Sequence, residues 1–257
     1  MISIQITDAH IRKSWSHVSH SPVWSAVIAA MIAAATIGVV DTTGELLTEK
    51  SPPAHMERAE MSEGIWGPSR ILYRCMPDGK CIAPDHVVFD SIANDPVVGN
   101  EAYFMGAKVL GSPKSMQSEV NVKVGDTVLV RALIENDAAI NVAHSQSLVA
   151  HDTRFNLSIP TSSSSELPLI GHISAPNAAP QRIHDTIFLR SKKRFAIEYG
   201  WRSAILSNRV HKELPLSDDI IGEGALVGSG NPDGTFPPGL SNNAAVLLLV
   251  HIVPPTS

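Results

Sequence analysis

The sequence predicts an all-β fold, a β-sandwich of about nine to eleven strands, behind one N-terminal transmembrane helix. Residues 22–40 form an apolar run of nineteen residues that contains no charge. From Gly64 onward, short segments rich in β-branched residues recur between turn sequences, and none keeps a helical period over three turns. We therefore divide the chain into a tail at 1–21, an anchor at 22–40, a tether at 41–63 and a β domain at 64–257.

The apolar run is long enough to cross a bilayer. As a helix it would extend about 28 Å, close to the thickness of the hydrocarbon core. Arg12 and Lys13 precede the run, whereas Asp41 and Glu45 follow it. The positive-inside rule therefore predicts a single-pass protein of the cell membrane, with its N-terminus in the cytoplasm and its C-terminal domain outside.

Cleavage of this segment is the alternative to a retained anchor. Ala33, Ala34 and Ala35 have small side chains at the spacing that a signal peptidase accepts, so cleavage after Ala35 would give a secreted protein. The apolar run continues to Val40 and the region before it is long, which favours a retained signal anchor. In both cases the remaining chain lies outside the cytoplasm.

The tether and the overall composition limit the class of partner. Residues 41–63 carry six acids against two bases, include Pro52 and Pro53, and have no apolar periodicity, as in a flexible spacer. The whole chain has a formal net charge of −5. A nucleic-acid partner would need a basic face, so we expect none.

Two cysteines, Cys75 and Cys81, flank a turn sequence that contains Pro77 and Gly79. Outside the cytoplasm, a close pair of this kind is normally a disulfide, here one that closes a hairpin tip. Half a zinc site or a redox motif is the alternative, but the spacing is not CxxC and no second ligand pair accompanies it.

The β domain contains several clear strand patterns. Phe155, Leu157 and Ile159 alternate with polar residues, which predicts a half-buried strand. Residues 120–124 and 127–135 surround a Gly-Asp turn and predict a hairpin. Further strands are expected at 71–74, 86–92, 103–110, 169–174, 183–189, 195–199, 225–228 and 244–253, the last of them central in its sheet.

A series of turn motifs resembles a known group of proteins. The motifs are WGP at 66–68, FDSI at 89–92, NDP at 94–96, VGD at 124–126, ENDAA at 135–139, SAPNA at 174–178 with Asp185 after it, and GALVG at 224–228 before DG at 233–234. Together they are similar to uncharacterised bacterial exported or membrane-anchored proteins with an immunoglobulin-like β-sandwich, distantly related to adhesin repeats. The resemblance covers roughly residues 64–253, implies that fold, and transfers no functional residue.

Acidic and basic segments provide the candidate sites. The acidic loops at 94–95, 135–137 and 218–219 offer oxygen ligands for Ca²⁺, but Asn and Asp are equally good turn formers, so we predict no metal, no cofactor and no catalytic residue. Four cations before Phe195 form either a solvated loop or a patch for anionic wall polymers or lipid headgroups. They are Arg190, Lys192, Lys193 and Arg194.

Three functions are compatible with these observations. The first is a binding or structural module of the cell surface, with a surface protein or polysaccharide as partner and an open oligomeric state. The second is an envelope enzyme that acts on wall polymers through a carboxylate pair such as Asp185 and Glu198. The third is a subunit that assembles by strand addition, which requires a long unpaired sheet edge.

Overall fold

Antiparallel strand pairing dominates the computed structural model, which describes residues 65–76, 81, 83–139 and 145–255. The predicted tail, anchor and tether lie outside these residues. Within the described ranges, no helix is both long and apolar enough to cross a membrane. The structure therefore concerns the β domain, whose all-β class is as predicted.

The described residues contain eleven strands and three short 3-10 helices. The strands are β1 (Trp66–Gly67), β2 (Met105–Val109), β3 (Glu119–Asn121), β4 (Thr127–Ile134), β5 (Arg154–Ser158), β6 (Ser164–Ser174), β7 (Arg182–Tyr199), β8 (Ile205–Asn208), β9 (Leu214–Pro215), β10 (Ala225–Leu226) and β11 (Ala244–Val253). The helices are Ser145–Leu148, Asp218–Ile221 and Leu240–Asn242.

The strands pair in the order β10-β5-β6-β7-β11-β4-β2. Strands β1 and β3 join this path at β7, β8 joins it at β11, and β9 pairs with β8. Every one of these pairings is antiparallel except that of β3 with β7. Strand β11 lies between β4 and β7, as the apolar character of residues 244–253 predicts.

The predicted hairpin around Gly125 is wrong, although its turn and both of its strands are present. Gly125 has a φ of 95°, and Asp126 N–H donates to Lys123 O at 3.0 Å to close the turn. Strand β4 pairs with β11 on one side and β2 on the other, so neither of its edges is open to β3. Strand β3 instead runs parallel to β7.

Strand β7 connects the two halves of this path. Its first half pairs with β1, β3 and β6, and its last residues, Ala196 to Tyr199, pair with β11. The predicted loop between 189 and 195 is therefore wrong, because one strand of 18 residues runs through it. The register on β6 shifts between Ser164 and Glu166, which places an irregularity of the β-bulge kind opposite the basic residues.

One apolar core is shared by strands of both halves. Buried side chains come from β2, β4 and β11 as well as from β5, β6 and β7. Close approach occurs at Gly171 of β6, where an added Cβ would collide with Met105 Sδ of β2 and lie 3.1 Å from Phe155 Cε2 of β5. The glycine therefore leaves room for β2 to pack against β5 and β6.

A disulfide joins Cys75 and Cys81, the pairing that the sequence predicts. The two residues also form an antiparallel bridge. Cys75 N–H donates to Asn94 Oδ1 at 2.8 Å, and Asn94 Nδ2 donates back to Cys75 O at 2.9 Å. These contacts fix the disulfide against the loop that leads to the site described next.

Candidate functional site

Five buried carboxylates lie close together beside the ends of β2, β4 and β7. Each of the five residues is between 1 and 7% exposed to solvent. We call them the carboxylate cluster: Asp90, Glu101, Glu135, Asp137 and Asp185. Burial of a carboxylate is costly unless a counter-charge, a proton or hydrogen bonds compensate it, so each needs a physical explanation.

The end of β4 brings two of these residues into place. The chain leaves β4 at Ile134 and continues through Glu135 and Asp137 alongside the loop that holds Asp90. Asp90 N–H donates to Glu135 O at 3.2 Å, and Asp137 N–H donates to Val88 O at 3.0 Å. The two segments are thus joined by their backbones, which places their carboxylates together.

Asp90 adopts an unusual backbone conformation, with a φ of 44°. Aspartate tolerates the left-handed region better than most residues, because its short side chain can bond locally. Asp90 Oδ1 accepts a hydrogen bond from Glu135 N–H at 3.1 Å. The conformation therefore turns the Asp90 carboxylate towards the end of β4.

Hydrogen bonds also orient Asp137 and Glu101. Asp137 Oδ2 accepts hydrogen bonds from the N–H and the hydroxyl of Ser91. Glu101 Oε2 accepts one from Ile92 N–H at 2.9 Å, and Glu101 N–H donates to Ile92 O at the same distance. Each of these carboxylates therefore has one oxygen held by the loop at 91–92.

Asp185 belongs to β7 and stands opposite Trp66 of β1. Its Oδ2 accepts a hydrogen bond from Met105 N–H at 2.7 Å, and its Oδ1 accepts one from Thr186 N–H at 2.7 Å. Asp185 therefore bonds with both oxygens and links β7 to the first residue of β2. This is a structural use of a carboxylate.

Three members of the cluster converge on one point. Glu101, Glu135 and Asp137 each offer one carboxylate oxygen, and the three oxygens lie within 4.8 Å of one another. The carboxyls of Glu101 and Asp137 are within hydrogen-bonding reach of each other. Two ionised carboxylates at such a distance repel, so this point has a high affinity for a proton or a cation.

The guanidinium of Arg70 is the cation that acts on most of the cluster in the part of the chain that the structure describes. It attracts Asp90, Glu101, Asp137 and Asp185, and its Nη2 donates to Asp90 O at 2.6 Å. It also lies over the ring of Trp66, 5.1 Å from the centroid. One guanidinium balances only a fraction of five negative charges.

Burial in the cluster raises the pKa of each of its five carboxyl groups. Burial, with the charges of Asp137 and Asp95 adding to it, raises the pKa of Glu135 to about 8. Burial raises the pKa of Asp185 to about 7 although two N–H groups lower it. Burial likewise raises the pKa values of Asp90, Glu101 and Asp137. Near neutral pH the cluster therefore favours bound protons or a bound cation over five free charges.

The structure brings only part of the predicted acidic set together. Of residues 135–137, predicted as possible oxygen donors, Glu135 and Asp137 are in the cluster, whereas the Asn136 amide donates to Leu148 O and Phe236 O. Asp95 is buried close to Glu135 but holds a turn, because its Oδ1 accepts from the N–H groups of Val97 and Val98 at 2.8 Å. The loop at 218–219 has a structural task, since Asp218 Oδ1 accepts from Tyr199 Oη and Arg202 N–H at 2.8 Å.

Asp185 and Glu198, the predicted carboxylate pair, are not brought together. Both lie on β7, thirteen residues apart, which is about 43 Å along an extended strand. Asp185 is buried, whereas Glu198 is exposed. Sequence reasoning did not select Asp90 and Glu101 for the site, and the available signal was the FDSI motif that contains Asp90.

The predicted basic patch lies on β7, and two of its four cations are engaged. Arg190 forms ion pairs with Glu119 Oε2 at 2.7 Å and Glu166 Oε2 at 2.6 Å. Arg194 Nη2 donates to Ser163 O at 2.7 Å. Lys192 and Lys193 are exposed. The positive charge offered to a ligand is therefore smaller than the sequence implies.

Comparisons with known proteins give no assignment for this site. No family model matches the chain, and no curated protein or solved structure is significantly similar to it. The functional argument therefore depends on the residues themselves.

Proposed function

We propose that the chain is a membrane-anchored module of the cell surface, whose β domain lies outside the cytoplasm and binds a partner or has a structural role there. The observation that carries the proposal is the disulfide between Cys75 and Cys81. Disulfides persist in oxidising compartments and are rare in the cytosol. The apolar run at 22–40 and the cations before it provide the route to that location.

The proposed fold of the module is an immunoglobulin-like β-sandwich. Two features support it: a single apolar core shared by both halves of the strand path, and the contact of β2 with β5 and β6 at Gly171. The resemblance of its turn motifs to bacterial exported or membrane-anchored proteins agrees with this proposal. A sandwich presents its loops at two ends, which is where such modules bind partners.

Exposed apolar side chains support a binding role. Ile71, Val97, Trp201 and Val210 are each at least 64% exposed. Aromatic and aliphatic side chains of this kind are the usual anchors of protein contacts and, for tryptophan, of sugar contacts. A surface protein or a polysaccharide is therefore the proposed partner class.

An envelope enzyme that uses a carboxylate pair is the second candidate. The spacing of Glu101, Glu135 and Asp137 favours it, because retaining glycosidases hold two carboxyls about 5 Å apart. The 4 to 7% exposure of these residues argues against it, since a wall polymer must reach the reacting groups. Release of soluble fragments from purified cell walls by the wild type, and not by an Asp137→Asn variant, would establish the enzyme.

Accessibility in intact cells tests the proposed location. We expect protease added to intact cells, after permeabilisation of any outer membrane, to degrade the β domain while an epitope tag at the N-terminus stays protected. We expect Cys75 and Cys81 to react with maleimide only after reduction. A β domain that is degraded only after lysis, with two free thiols, would contradict the proposal. A chain that begins at Thr36 would retain the exported location but replace the anchor with secretion.

A further inference from the structure

We propose that Glu101, Glu135 and Asp137 bind a hard divalent cation, Ca²⁺ in preference to others. The proposal departs from the sequence prediction of no metal site, and it does not depend on the location proposed above.

The first argument is the geometry of the three oxygens. Oxygen ligands lie about 2.3 to 2.6 Å from Ca²⁺, so two ligands on opposite sides of the ion are separated by about 5 Å. One oxygen each from Glu101, Glu135 and Asp137 falls within a mutual separation of 4.8 Å. Separations of this size are in the range that the ligands of one Ca²⁺ ion span.

The second argument is independent of the first and concerns hydrogen bonding. Glu101 Oε1, Asp137 Oδ1 and Asp90 Oδ2 are buried and find no hydrogen-bond partner among the described residues. The parent residues are 4, 5 and 2% exposed. Buried polar atoms in folded proteins nearly always have a partner, and a bound ion is one of the recognised explanations for an exception.

The unpartnered oxygens of Asp137 and Glu101 indicate a cation, because the other oxygen of each carboxylate is already held by hydrogen bonds. Ser91 holds Asp137 Oδ2, and Ile92 holds Glu101 Oε2. Such outer contacts orient ligands at metal sites and maintain their geometry. The remaining oxygens, Glu101 Oε1 and Asp137 Oδ1, are buried without a partner in the described residues, and the two carboxyls lie within hydrogen-bonding reach of each other. Two acceptors cannot bond to each other without a positive particle between them.

The charge balance gives the third argument. Arg70 acts on Asp90, Glu101, Asp137 and Asp185, and its Nε and Nη1 are themselves without a partner in the described part of the chain. Five carboxylates beside one guanidinium leave an excess of buried negative charge. A divalent ion at the three converging oxygens would neutralise two of the charges that the single positive charge of Arg70 leaves uncompensated.

The donor set selects the kind of ion. The three ligands are carboxylates, and Zn²⁺ and Cu²⁺ prefer histidine and cysteine. Mg²⁺ dehydrates reluctantly and keeps several waters, which a buried site excludes. Ca²⁺ accepts carboxylates and backbone carbonyls in flexible arrangements, and it is therefore the ion that fits.

Calcium titration of the full-length protein tests the proposal. The protein is treated with EDTA, exchanged into chelator-free buffer and titrated with CaCl₂ by calorimetry, with Tm measured in parallel. We expect saturable binding of one ion per chain and, at ten times Kd, a rise in Tm of about 3 to 6 °C. The weakest protein calcium sites have Kd values of about 0.1 to 1 mM, so the titration extends to about 10 mM.

A matched pair of variants locates the ion. Asp137→Asn keeps an oxygen for Ser91 N–H and adds an amide that can donate to Glu101, so we expect it to fold and to lose at least tenfold in affinity. Asp85→Asn makes the same chemical change on a side chain that is 91% exposed, and we expect unchanged binding. If Asp137→Asn does not fold, Glu101→Gln replaces it with the same expected loss.

Three results would overturn the proposal. The first is the absence of heat and of any Tm change in the wild type up to about 10 mM CaCl₂, which would mean that the cluster holds shared protons. The second is calcium binding of equal affinity in the wild type and in the folded Asp137→Asn or Glu101→Gln protein, which would place the ion elsewhere. The third is an equal response to MgCl₂, which would remove the preference for Ca²⁺.

Discussion

The carboxylate cluster and the basic stretch of β7 are two charged regions of the β domain, and they differ in how far their charges are compensated by partners. The basic stretch lies on the surface, and its first residue, Arg190, has ion pairs with Glu119 and Glu166. The cluster is buried, and in the described residues several of its oxygens have no partner. The region with the unbalanced charge is therefore the better candidate for a function.

Of the changes considered, replacement of Arg70 is expected to have the largest effect on the free energy of unfolding. Arg70→Met keeps an apolar stem beside Trp66 but removes the positive charge that faces four of the five carboxylates. We expect the free energy of unfolding to fall by about 3 kcal/mol in EDTA, because buried charges lose their counter-charge. Urea denaturation measures this change. A loss below about 1 kcal/mol would mean that the cluster is neutral without Arg70.

The pH dependence of stability is the next largest effect. In the folded protein the pKa of Glu135 is about 8 and that of Asp185 is about 7, and both lie above the pKa values of the unfolded chain. At pH values between the unfolded and the folded pKa, the folded state therefore binds more protons than the unfolded state. The resulting stabilisation is complete below the unfolded values and is lost as pH rises through the folded ones. In EDTA we expect unfolding free energy to fall by about 2 kcal/mol or more from pH 5 to pH 8.

Urea denaturation at a series of pH values, with and without calcium, checks whether the free energy of unfolding falls as the pH rises. Stability that rises over the same interval would show that the carboxylates ionise freely in the folded protein.

A substitution that disturbs packing near the cluster should destabilise the fold less than the loss of the Arg70 charge. Gly171→Ala places a Cβ against Met105 Sδ, in the contact that brings β2 next to β6. We expect a loss of about 1 to 3 kcal/mol by overpacking. Gly230→Ala is the control, because an added Cβ there has nothing within 4 Å. Equal stability of the two variants in thermal denaturation would contradict the packing of β2 on β6.

Removal of the surface ion pairs should have the smallest effect. Arg190→Met breaks the contacts with Glu119 and Glu166, whose side chains are about half exposed, as is that of Arg190. Exposed pairs contribute little because water and salt screen them, so we expect a loss below about 1 kcal/mol. A loss as large as that of Arg70→Met would remove the contrast between the two regions.

Local sequence patterns predicted the all-β class because strand periodicity is a local property. The alternation of Phe155 and Leu157 with polar neighbours appears as β5, and the apolar residues 244–253 appear as β11. Pairing is not local, which explains the wrong hairpin: β3 finds its partner on β7, 69 residues further along the chain. The sequence contains the strands but not the choice of neighbour.

The difference between local patterns and distant contacts also explains what the sequence predicted for the two charged regions. The polarity of residues 190–194 predicted a loop because the acids that pair with Arg190 lie 71 and 24 residues away. Glu135 and Asp137 were recognisable as oxygen donors because they belong to one short acidic segment, with only Asn136 between them. Asp90 reaches Glu135 across 45 residues, so its place in the cluster appears only in the folded chain.

The most direct test of this account is the native mass of the full-length protein in the presence of CaCl₂, with Asp137→Asn measured beside it. The account predicts that the wild type gains the mass of one calcium ion per chain and that the variant gains none. An unchanged mass in both proteins, or an equal gain in both, would contradict the claim that the unbalanced carboxylates form a cation site.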